Sequence, residues 1–198
     1  MNRIYIKLHV TIIKGDFMKI GIDIDDTLVD TKNLLKKYWK EYFLNNPNPN
    51  YTEFVPNNIN TGWNDKYINI FWDTYRFKMI HPKFKKNAST VLNKLKKNNH
   101  TLCIITSRSK EKYPNIIEDL SVWMKDNNIP IDTIYTDVRN KGTFSKENNI
   151  DLLIDDTLNH ILEAKNLGIK TILFNKDNNY KGLKTTSWNK LYTIIKEL

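Results

Sequence analysis

Cysteine is almost absent from this sequence of 198 residues, in which Cys103 is the only one. A single cysteine excludes an intrachain disulfide and any zinc site built from several cysteines, and it fits a reducing compartment, so we expect a cytoplasmic protein. Long hydrophobic runs are also missing, since no apolar stretch approaches the roughly 20 residues of a membrane-spanning helix. The composition, with 40% hydrophobic and 27% charged residues, is that of a folded protein without a membrane partner, and the length favours one domain with a small insertion.

Acidic residues are outnumbered, because 31 Lys and Arg face 22 Asp and Glu and give a formal net charge of +9. Such an excess can indicate a nucleic-acid or anionic-membrane partner. Lysine and asparagine are abundant along the whole chain, however, as expected for a gene rich in A and T. We therefore prefer a solvated basic surface and do not expect nucleic acid as a partner, although this charge would steer small anionic phosphorylated substrates inward. The densest basic stretch comprises Lys83, Lys85, Lys86, Lys94, Lys96 and Lys97.

The first 17 residues do not resemble a signal peptide, since Lys7, His9 and Lys14 interrupt their apolar character and no small-residue cleavage site follows. Codons that can encode residues 14–18 resemble a bacterial ribosome-binding site just before a start codon. Our hypothesis is that native translation begins at Met18 and that residues 1–17 are an extension. The alternative is an added edge strand in RIYIKLHVTII, whose partial alternation is consistent with β structure.

From residue 19 onward, short β-rich runs alternate with helical patterns, which predicts an α/β fold with a parallel sheet and crossover helices. The predicted strands are apolar runs rather than strict alternations, as strands covered on both faces should be. The predicted strands are residues 19–23, 101–106, 133–136, 152–155 and 170–174, and the predicted helices are residues 88–97, 116–125, 158–166 and 188–196.

One segment breaks this alternation, because residues 31–85 contain no predicted strand. A turn-rich stretch, NNPNPNYTEFVPNNINTG, lies there between two amphipathic helical patterns. We expect a small helical subdomain over residues 31–85, inserted into a core of residues 18–30 and 86–198. An apolar stripe in the second pattern belongs more often to a core than to a ligand platform. The stripe consists of Tyr67, Ile68, Phe71, Trp72, Tyr75 and Met79.

Acidic side chains follow two of the predicted strands at their carboxyl ends, where ligands bind in open parallel α/β sheets. Asp23 and Asp25 follow the first strand, and Asp155 and Asp156 follow the fourth. If these strands are neighbours, the two carboxylate pairs meet, and like charges that close require a counter-ion. An oxygen-rich set without His or Cys favours Mg²⁺, whereas Ca²⁺ would need more protein ligands. The alternative is that these Asp residues only cap helices.

Four short motifs carry a resemblance to a known family. DIDDT, which starts at Asp23, resembles the DxDxT first motif of the haloacid dehalogenase-like phosphatases. IITSR, with Thr106 at the strand end, resembles the second motif, a hydrophobic strand closed by Thr or Ser. Lys141 resembles the third-motif lysine, and IDD at Asp155 and Asp156 resembles the acidic fourth motif. All four occur in the family's order, and the resemblance spans residues 18–174.

The resemblance implies a role for each matching side chain in phosphoryl transfer. Asp23 would be the nucleophile that attacks phosphorus and forms an aspartyl-phosphate, which water then hydrolyses. Asp25 would protonate the leaving alkoxide and later deprotonate the water, with a pKa raised by a neighbouring carboxylate. Thr106, Ser107 and Lys141 would bind the oxygens of the phosphate.

The resemblance also implies a metal site and an architecture. Mg²⁺ would be bound by Asp23, the backbone carbonyl of Asp25 and the pair Asp155 and Asp156, and would cancel the repulsion between nucleophile and phosphate. The family core is a Rossmann-like parallel sheet with flanking helices. A small helical cap inserted after the first strand would then cover the site.

The sequence departs from the family pattern at one position and is ambiguous at another. The usual glycine after the second aspartate of the first motif is Asp26 here, and Asp tolerates a left-handed backbone better than most residues. Lys146 competes with Lys141 for the third-motif role. We prefer Lys141 from its place in the motif, and expect Lys146 on a helix surface.

The small cap and the second and fourth motifs are most similar to those of the 5′(3′)-deoxyribonucleotidases and their bacterial nucleotidase-like relatives. That resemblance implies a nucleoside monophosphate as substrate, with its base stacked on Trp63, Phe71, Trp72 or Tyr75, and Arg108 is a further candidate for substrate binding. The alternatives are a phosphatase of sugar phosphates or of nucleic-acid 3′ ends, and a non-catalytic binding protein. A binding protein would not need both a nucleophile and its acid/base.

Overall fold

The computed structural model describes residues 17–45 and 65–198, so the alternative edge strand in RIYIKLHVTII and the candidate Trp63 lie outside the described residues. Five strands form one parallel sheet in the order β3-β2-β1-β4-β5. The predicted α/β fold with a parallel sheet is confirmed, and each strand begins where the sequence predicts. The strands are β1 (Lys19–Ile22), β2 (Thr101–Ile105), β3 (Thr133–Tyr135), β4 (Leu152–Asp155) and β5 (Lys170–Leu173).

Helices pack around this sheet, and the sequence predicts α3, α4, α6 and α7 to within one residue. It expects Lys146 on a helix surface but gives no bounds for α5, because a helix of seven residues is too short to display a clear 3.6-residue period. None of the helices in residues 17–45 and 65–198 is both long and apolar enough to cross a bilayer. The helices are α1 (Thr31–Asn45), α2 (Asp65–Tyr75), a 3₁₀ helix (Phe77–Met79), α3 (Ala88–Lys97), α4 (Ile116–Asp126), α5 (Lys141–Glu147), α6 (Leu158–Asn166) and α7 (Trp188–Lys196).

Strand β1 lies at the centre of the sheet and is buried on both faces, as its apolar run predicts. Ile20 and Ile22 are fully buried on one side of the pleat. Gly21 lies between Cys103 of β2 and Leu153 of β4, and a Cβ atom at this position would lie 2.5 Å from Cδ1 of Ile105. Because β1 pairs with both β2 and β4, the carboxyl ends of these three strands meet at one edge of the sheet.

The inserted helices have an aromatic cluster of their own. Phe71 of α2 is fully buried and stacks on Trp39 of α1 with ring centroids 3.9 Å apart. Tyr75 and Met79 are buried in the same cluster, so these three members of the predicted stripe belong to a core. The division of the chain into a cap and a catalytic core at residues 30, 31, 85 and 86 stays a prediction.

Candidate active site

Three strand ends bring the acidic motifs together. Asp23 directly follows β1, and its backbone N–H donates to the carbonyl of Ile154 in β4 at 3.0 Å, which fixes the first motif beside the fourth. Thr106 directly follows β2 on the other side, and Asp155 is the last residue of β4. Clustering at the carboxyl edge of the sheet follows from the parallel strand order, as the sequence predicts.

Three carboxylates lie close enough to share a cation. One oxygen each from Asp23, Asp155 and Asp156 fall within 4.8 Å of one another. Asp23 and Asp155 are buried and Asp156 is half-buried. Burial raises the pKa of Asp23 well above its usual value, and although Lys141 opposes this shift, the charges of Asp155 and Asp25 add to it. Ionising all three carboxylates is therefore unfavourable in the absence of a cation, and a bound cation would offset their mutual repulsion.

Lys141 partly balances this charge. Its Nζ donates to Oδ1 of Asp23 and, at 2.7 Å, to Oδ2 of Asp155. Only 2% of the residue is exposed. Although burial acts to lower the pKa of Lys141, the charges of both carboxylates raise it, so the ammonium form is favoured. Lys146 lies further along α5 and is exposed, so of the two lysines considered from sequence, the structure brings Lys141 to the acidic cluster.

Helix α6 supports this arrangement from behind. Nδ1 of His160 lies 3.1 Å from Oδ2 of Asp155, within hydrogen-bond distance. One turn later, the carboxylate of Glu163 accepts hydrogen bonds from the backbone N–H groups of Gly142 and Thr143, at 3.2 and 3.1 Å. N–H groups in the first turn of a helix have no acceptor within the helix, and Glu163 supplies one for α5. A Cβ atom on Gly142 would lie 2.7 Å from the backbone nitrogen of Ala164. The two helices therefore pack closely where α5 presents Lys141.

Asp25 faces a different set of partners. Its Oδ1 accepts from Oγ1 of Thr31 at 2.5 Å and from Nη2 of Arg108 at 2.8 Å, and its Oδ2 accepts from Nε of Arg108 at 3.0 Å. Although burial acts to raise the pKa of Asp25, the Arg108 guanidinium and these hydrogen bonds lower it. The sequence-based expectation of a raised pKa at Asp25 is therefore wrong in this arrangement, because it weighed neighbouring carboxylates and not the arginine.

The first-motif turn is built as the sequence predicts. Asp26 has φ +60°, the left-handed conformation in which the family pattern has glycine. Its carboxylate accepts from the backbone N–H of Lys32 at 2.8 Å, so the side chain also fastens the first turn of α1. Nζ of Lys32 lies 2.9 Å from Oδ2 of Asp156, and because this lysine is exposed, the ion pair is screened by solvent and contributes little to stability.

The predicted phosphate-binding residues after β2 differ in their exposure. Thr106 is fully buried, and its Oγ1 accepts from the backbone N–H of Arg108 at 3.2 Å. Ser107 is exposed. The hydroxyl of Thr106 is thus held in the turn at the end of β2, whereas Ser107 is accessible to solvent.

The aromatic residues proposed for base stacking differ in their burial. Phe71 and Tyr75 are buried inside the cluster of the inserted helices, where their rings stack on each other at 5.2 Å. This burial corrects the prediction that either presents its ring to a substrate, because Phe71 stacks between Trp39 and Tyr75 and both residues are enclosed in the cluster. Trp72 is half-buried and is the only one of these candidates within the described residues that keeps a partly exposed ring.

Four residues of the site are absent from the sequence-based candidates. Thr31 and Lys32 lie at the start of the first inserted helix, and His160 and Glu163 lie one turn apart on α6. The available signal was position, since one pair follows the first motif closely and the other follows the fourth. Thr31 and His160 bond to acids only six and five residues away, whereas Lys32 and Glu163 reach distant parts of the chain. Composition alone reveals none of these contacts.

The donor set fits Mg²⁺. Carboxylate oxygens from three residues cluster within 4.8 Å, no thiol or imidazole belongs to that group, and hard divalent cations prefer such oxygen ligands. The side chain of Asp25 is turned toward Arg108 and does not belong to this cluster. A contribution from Asp25 would therefore come from its backbone carbonyl, as the resemblance implies.

Comparison with known proteins agrees with this geometry. Residues 20–174 match the family of haloacid dehalogenase-like hydrolases, whereas no curated protein matches the chain. Among solved structures, a haloacid dehalogenase-like hydrolase from Streptococcus pneumoniae is similar at 16% identity and a TM-score of 0.64, covering 90% of this chain and 98% of its own.

Two further solved structures share the fold. A protein from Haemophilus somnus described as a predicted phosphoglycolate phosphatase has 14% identity and a TM-score of 0.65, over 90% of this chain and 97% of its own. The hydrolase YfnB from Bacillus subtilis, whose structure is described as bound to magnesium, has 16% identity and a TM-score of 0.65, over 90% of this chain and 98% of its own. At these identities the likeness establishes the fold alone. The match over residues 20–174 establishes the family: this chain belongs to the haloacid dehalogenase-like hydrolases.

Proposed function

We propose that this protein is a Mg²⁺-dependent phosphatase that hydrolyses a small phosphomonoester through an aspartyl-phosphate on Asp23. The observation that carries the proposal is the buried Lys141 ammonium between Asp23 and Asp155, with Asp156 completing a group of carboxylates within 4.8 Å. A site that needed only to bind an anion would not collect three carboxylates around one lysine. The same group suits phosphoryl transfer, in which a cation, a nucleophile and a phosphate must meet.

The chemistry assigns each residue a separate task. A carboxylate oxygen of Asp23 attacks phosphorus, and the bond from phosphorus to the ester oxygen breaks as Asp25, in its protonated form, donates a proton to that oxygen. Although burial acts to raise the pKa of Asp25, the pairing with Arg108 lowers it, so Asp25 must take up this proton before the step. Asp25 then accepts a proton from the water that attacks the aspartyl-phosphate, which releases phosphate and restores Asp23. Lys141 and the hydroxyls of Thr106 and Ser107 bind the phosphoryl oxygens, where negative charge accumulates.

The proposed metal site consists of Asp23, the carbonyl of Asp25, Asp155 and Asp156. Mg²⁺ there would supply positive charge that offsets the repulsion between the nucleophile and the phosphate. The Bacillus subtilis relative, whose structure is described as bound to magnesium, supports this choice of cation.

The substrate class is the narrower part of the proposal. A nucleoside monophosphate remains the preferred substrate from the sequence resemblance, with Trp72 and Trp63 as the candidate stacking residues. The location is a separate proposal: the single cysteine, Cys103, is buried and supports a cytoplasmic protein. The name of the Haemophilus somnus relative, a predicted phosphoglycolate phosphatase, favours small phosphorylated acids as a second class, and sugar phosphates remain the alternative from the sequence. Both classes place a phosphomonoester on the same group of residues and differ only in the leaving group.

Hydrolysis of a panel of nucleoside monophosphates, sugar phosphates, phosphoglycolate and 3′-phosphorylated oligonucleotides tests the proposal. We expect activity that requires Mg²⁺ and that falls about 10³-fold or more in the Asp23→Asn variant, as for the loss of other enzymatic nucleophiles. Asp126→Asn is the matched control, because Asp126 is exposed at the end of α4. Undiminished activity in EDTA or in Asp23→Asn would overturn the mechanism. Sugar phosphates turning over faster than every nucleotide would overturn only the preferred substrate.

A further inference from the structure

The chain passes between the sheet and the inserted helices at two places, and both are tied to Asp25. At the first crossing, Thr31 begins α1 and its Oγ1 donates to Oδ1 of Asp25 at 2.5 Å. At the second crossing, Ile80 follows the 3₁₀ helix, and its backbone carbonyl accepts from Nη1 of Arg108 at 2.6 Å. Arg108 also holds Asp25, so one network joins the two crossings through this carboxylate.

Arg108 has the geometry of a clamp. Its Nε and Nη2 donate to the two oxygens of Asp25 at 3.0 and 2.8 Å, which is a bidentate pair, while Nη1 reaches Ile80. All three nitrogens of the guanidinium are thereby engaged, and only 8% of the residue is exposed. Bidentate charge-assisted pairs of this kind specify orientation as well as energy. Arg108 therefore contacts Asp25 and the chain rather than open space for a substrate.

The second crossing is itself seated on the sheet domain by aromatic contacts. The ring of Phe77 meets that of Tyr113 edge to face with centroids 6.0 Å apart. The ring of His81 stacks on Trp123 of α4 at 4.9 Å. These contacts lie on either side of Ile80, so the carbonyl that Arg108 binds has a defined position only while the second crossing is docked.

We propose that Arg108 is a positioning residue that makes the orientation of the Asp25 carboxylate depend on how the inserted helices are seated. Three hydrogen bonds hold the two oxygens of Asp25, and the carboxylate cannot turn toward an ester oxygen without breaking at least one of them. A movement of the inserted helices that displaces Ile80 or Thr31 changes this set of bonds. Seating of the helices and orientation of the proton donor are thus one event.

This inference rests on the proposed function in one respect, since it takes Asp25 to be the proton donor. It assigns Arg108 a role different from the substrate contact expected from sequence. A substrate-binding arginine would affect mainly KM, whereas a residue that orients the donor affects kcat, and does so most when the leaving group needs a proton.

Kinetics with two leaving groups test the positioning role. Arg108→Met removes the guanidinium and keeps an aliphatic side chain. Arg108→Lys keeps a positive charge but cannot form the bidentate pair. Lys110→Met is the control, because it removes an exposed charge from the same loop. For an alkyl phosphate, we expect Arg108→Met to lower kcat by about 100-fold, within the range for general acid catalysis. For p-nitrophenyl phosphate, the release of p-nitrophenol in a single turnover should fall less than about threefold, because this leaving group departs without a proton.

The Asp25→Asn background separates action through Asp25 from action elsewhere. If Arg108 acts by orienting Asp25, adding Arg108→Met to Asp25→Asn should cause no further loss with the alkyl phosphate. Equal losses with both substrates, a change confined to KM, or multiplicative losses in the double variant would each overturn the proposal. Partial recovery in Arg108→Lys would support it.

Amide hydrogen exchange over residues 77–84 tests the clamp without any catalysis. We expect exchange to be about tenfold or more faster at the second crossing in Arg108→Met and measurably faster in Asp25→Asn, and unchanged in Lys110→Met, because only the first two break the network. Unchanged exchange in all three variants would overturn the coupling even if the protein is a phosphatase. Faster exchange in a protein that proves inactive on every phosphomonoester would instead support the clamp and overturn the proposed function.

Discussion

Replacement of Lys141 by methionine is the perturbation whose outcome the structure determines most sharply. The ammonium group is bonded to two buried carboxylates, Asp23 and Asp155. Methionine has a similar length and volume, so the change removes the charge and the hydrogen bonds while largely keeping the packing. Lys146→Met is the matched control, because Lys146 lies five residues later on the same short helix and is exposed.

The expected magnitude follows from the burial of the partners. Removal of one member of a buried ion pair typically costs about 3–5 kcal/mol, because the remaining charge stays buried without compensation. We expect a loss near the lower value, about 3 kcal/mol in the free energy of unfolding, since Asp23 has a raised pKa and can relieve the repulsion by taking up a proton. The exposed control should change by less than about 0.5 kcal/mol.

The pH dependence has a defined sign. Although burial acts to raise the pKa of Asp155, hydrogen bonds from His160 and Lys141 lower it below the ordinary value of 3.8. A carboxyl group with a lowered pKa in the folded state contributes stability above its unfolded pKa and loses that contribution as the pH falls through the folded pKa. The part of the difference between wild type and Lys141→Met that comes from Asp155 should therefore be full at neutral pH and shrink below about pH 4.

Urea unfolding with and without Mg²⁺ measures these effects. A cation that binds only the folded state adds about 2.7 kcal/mol when present at 100 times its dissociation constant. Mg²⁺ should stabilise Lys141→Met more than wild type, because it replaces the missing positive charge. A variant within about 1 kcal/mol of wild type in the absence of metal, or an equal loss in Lys146→Met, would refute this account of the site.

Three further predictions concern the surroundings of the site. The Asp26→Ala variant should be about 1 kcal/mol less stable in urea unfolding than Asp26→Gly, because alanine is strained in the left-handed backbone at this position and glycine is not. Both variants lose the hydrogen bond to Lys32, so only the backbone cost differs between them. Equal stabilities would refute the backbone argument. Gly142→Ala should cost about 1–3 kcal/mol and lower phosphatase activity, because its Cβ meets Glu163 and forces α5 away from α6, and a variant with wild-type melting temperature and turnover would contradict this packing. Burial raises the pKa of the Cys103 thiol, so a thiol reagent should label it only at the rate of unfolding; rapid labelling of the native protein would show that this part of the sheet is open.

The α/β architecture could be predicted from local patterns because they are local properties of the chain. Apolar runs such as the one ending at Ile22 mark strands buried on both faces, and the polar outer faces of helices such as α7 mark surface helices. The motif acids could be found for a related reason, since a parallel sheet brings all strand ends to one edge. The turn at Asp26 was equally predictable, because one position in the motif requires a left-handed backbone.

Contacts between distant residues could not be predicted in this way. Arg108 lies 83 positions from Asp25, and only the folded chain brings its guanidinium to both carboxylate oxygens. This proximity reversed the expected direction of the pKa shift of Asp25, since the arginine and the hydrogen bonds to the carboxylate together outweigh the effect of burial. Phe71 and Tyr75 show the same limit, because a helical stripe of aromatic residues looks alike whether a ligand or another helix covers it.

The sequence by itself therefore determined the parallel sheet, the edge at which the site lies and the acids that occupy it, because periodicity and strand polarity are written in neighbouring residues. Only the tertiary structure decided which charge meets which. It brought Lys141, which the motif already favoured over Lys146, to the acidic cluster, paired Arg108 with Asp25, and buried Phe71 and Tyr75 in the cluster that includes Trp39 of α1. Electrostatic and packing energies depend on distances of a few ångströms, and those distances are set by the packing of the whole chain.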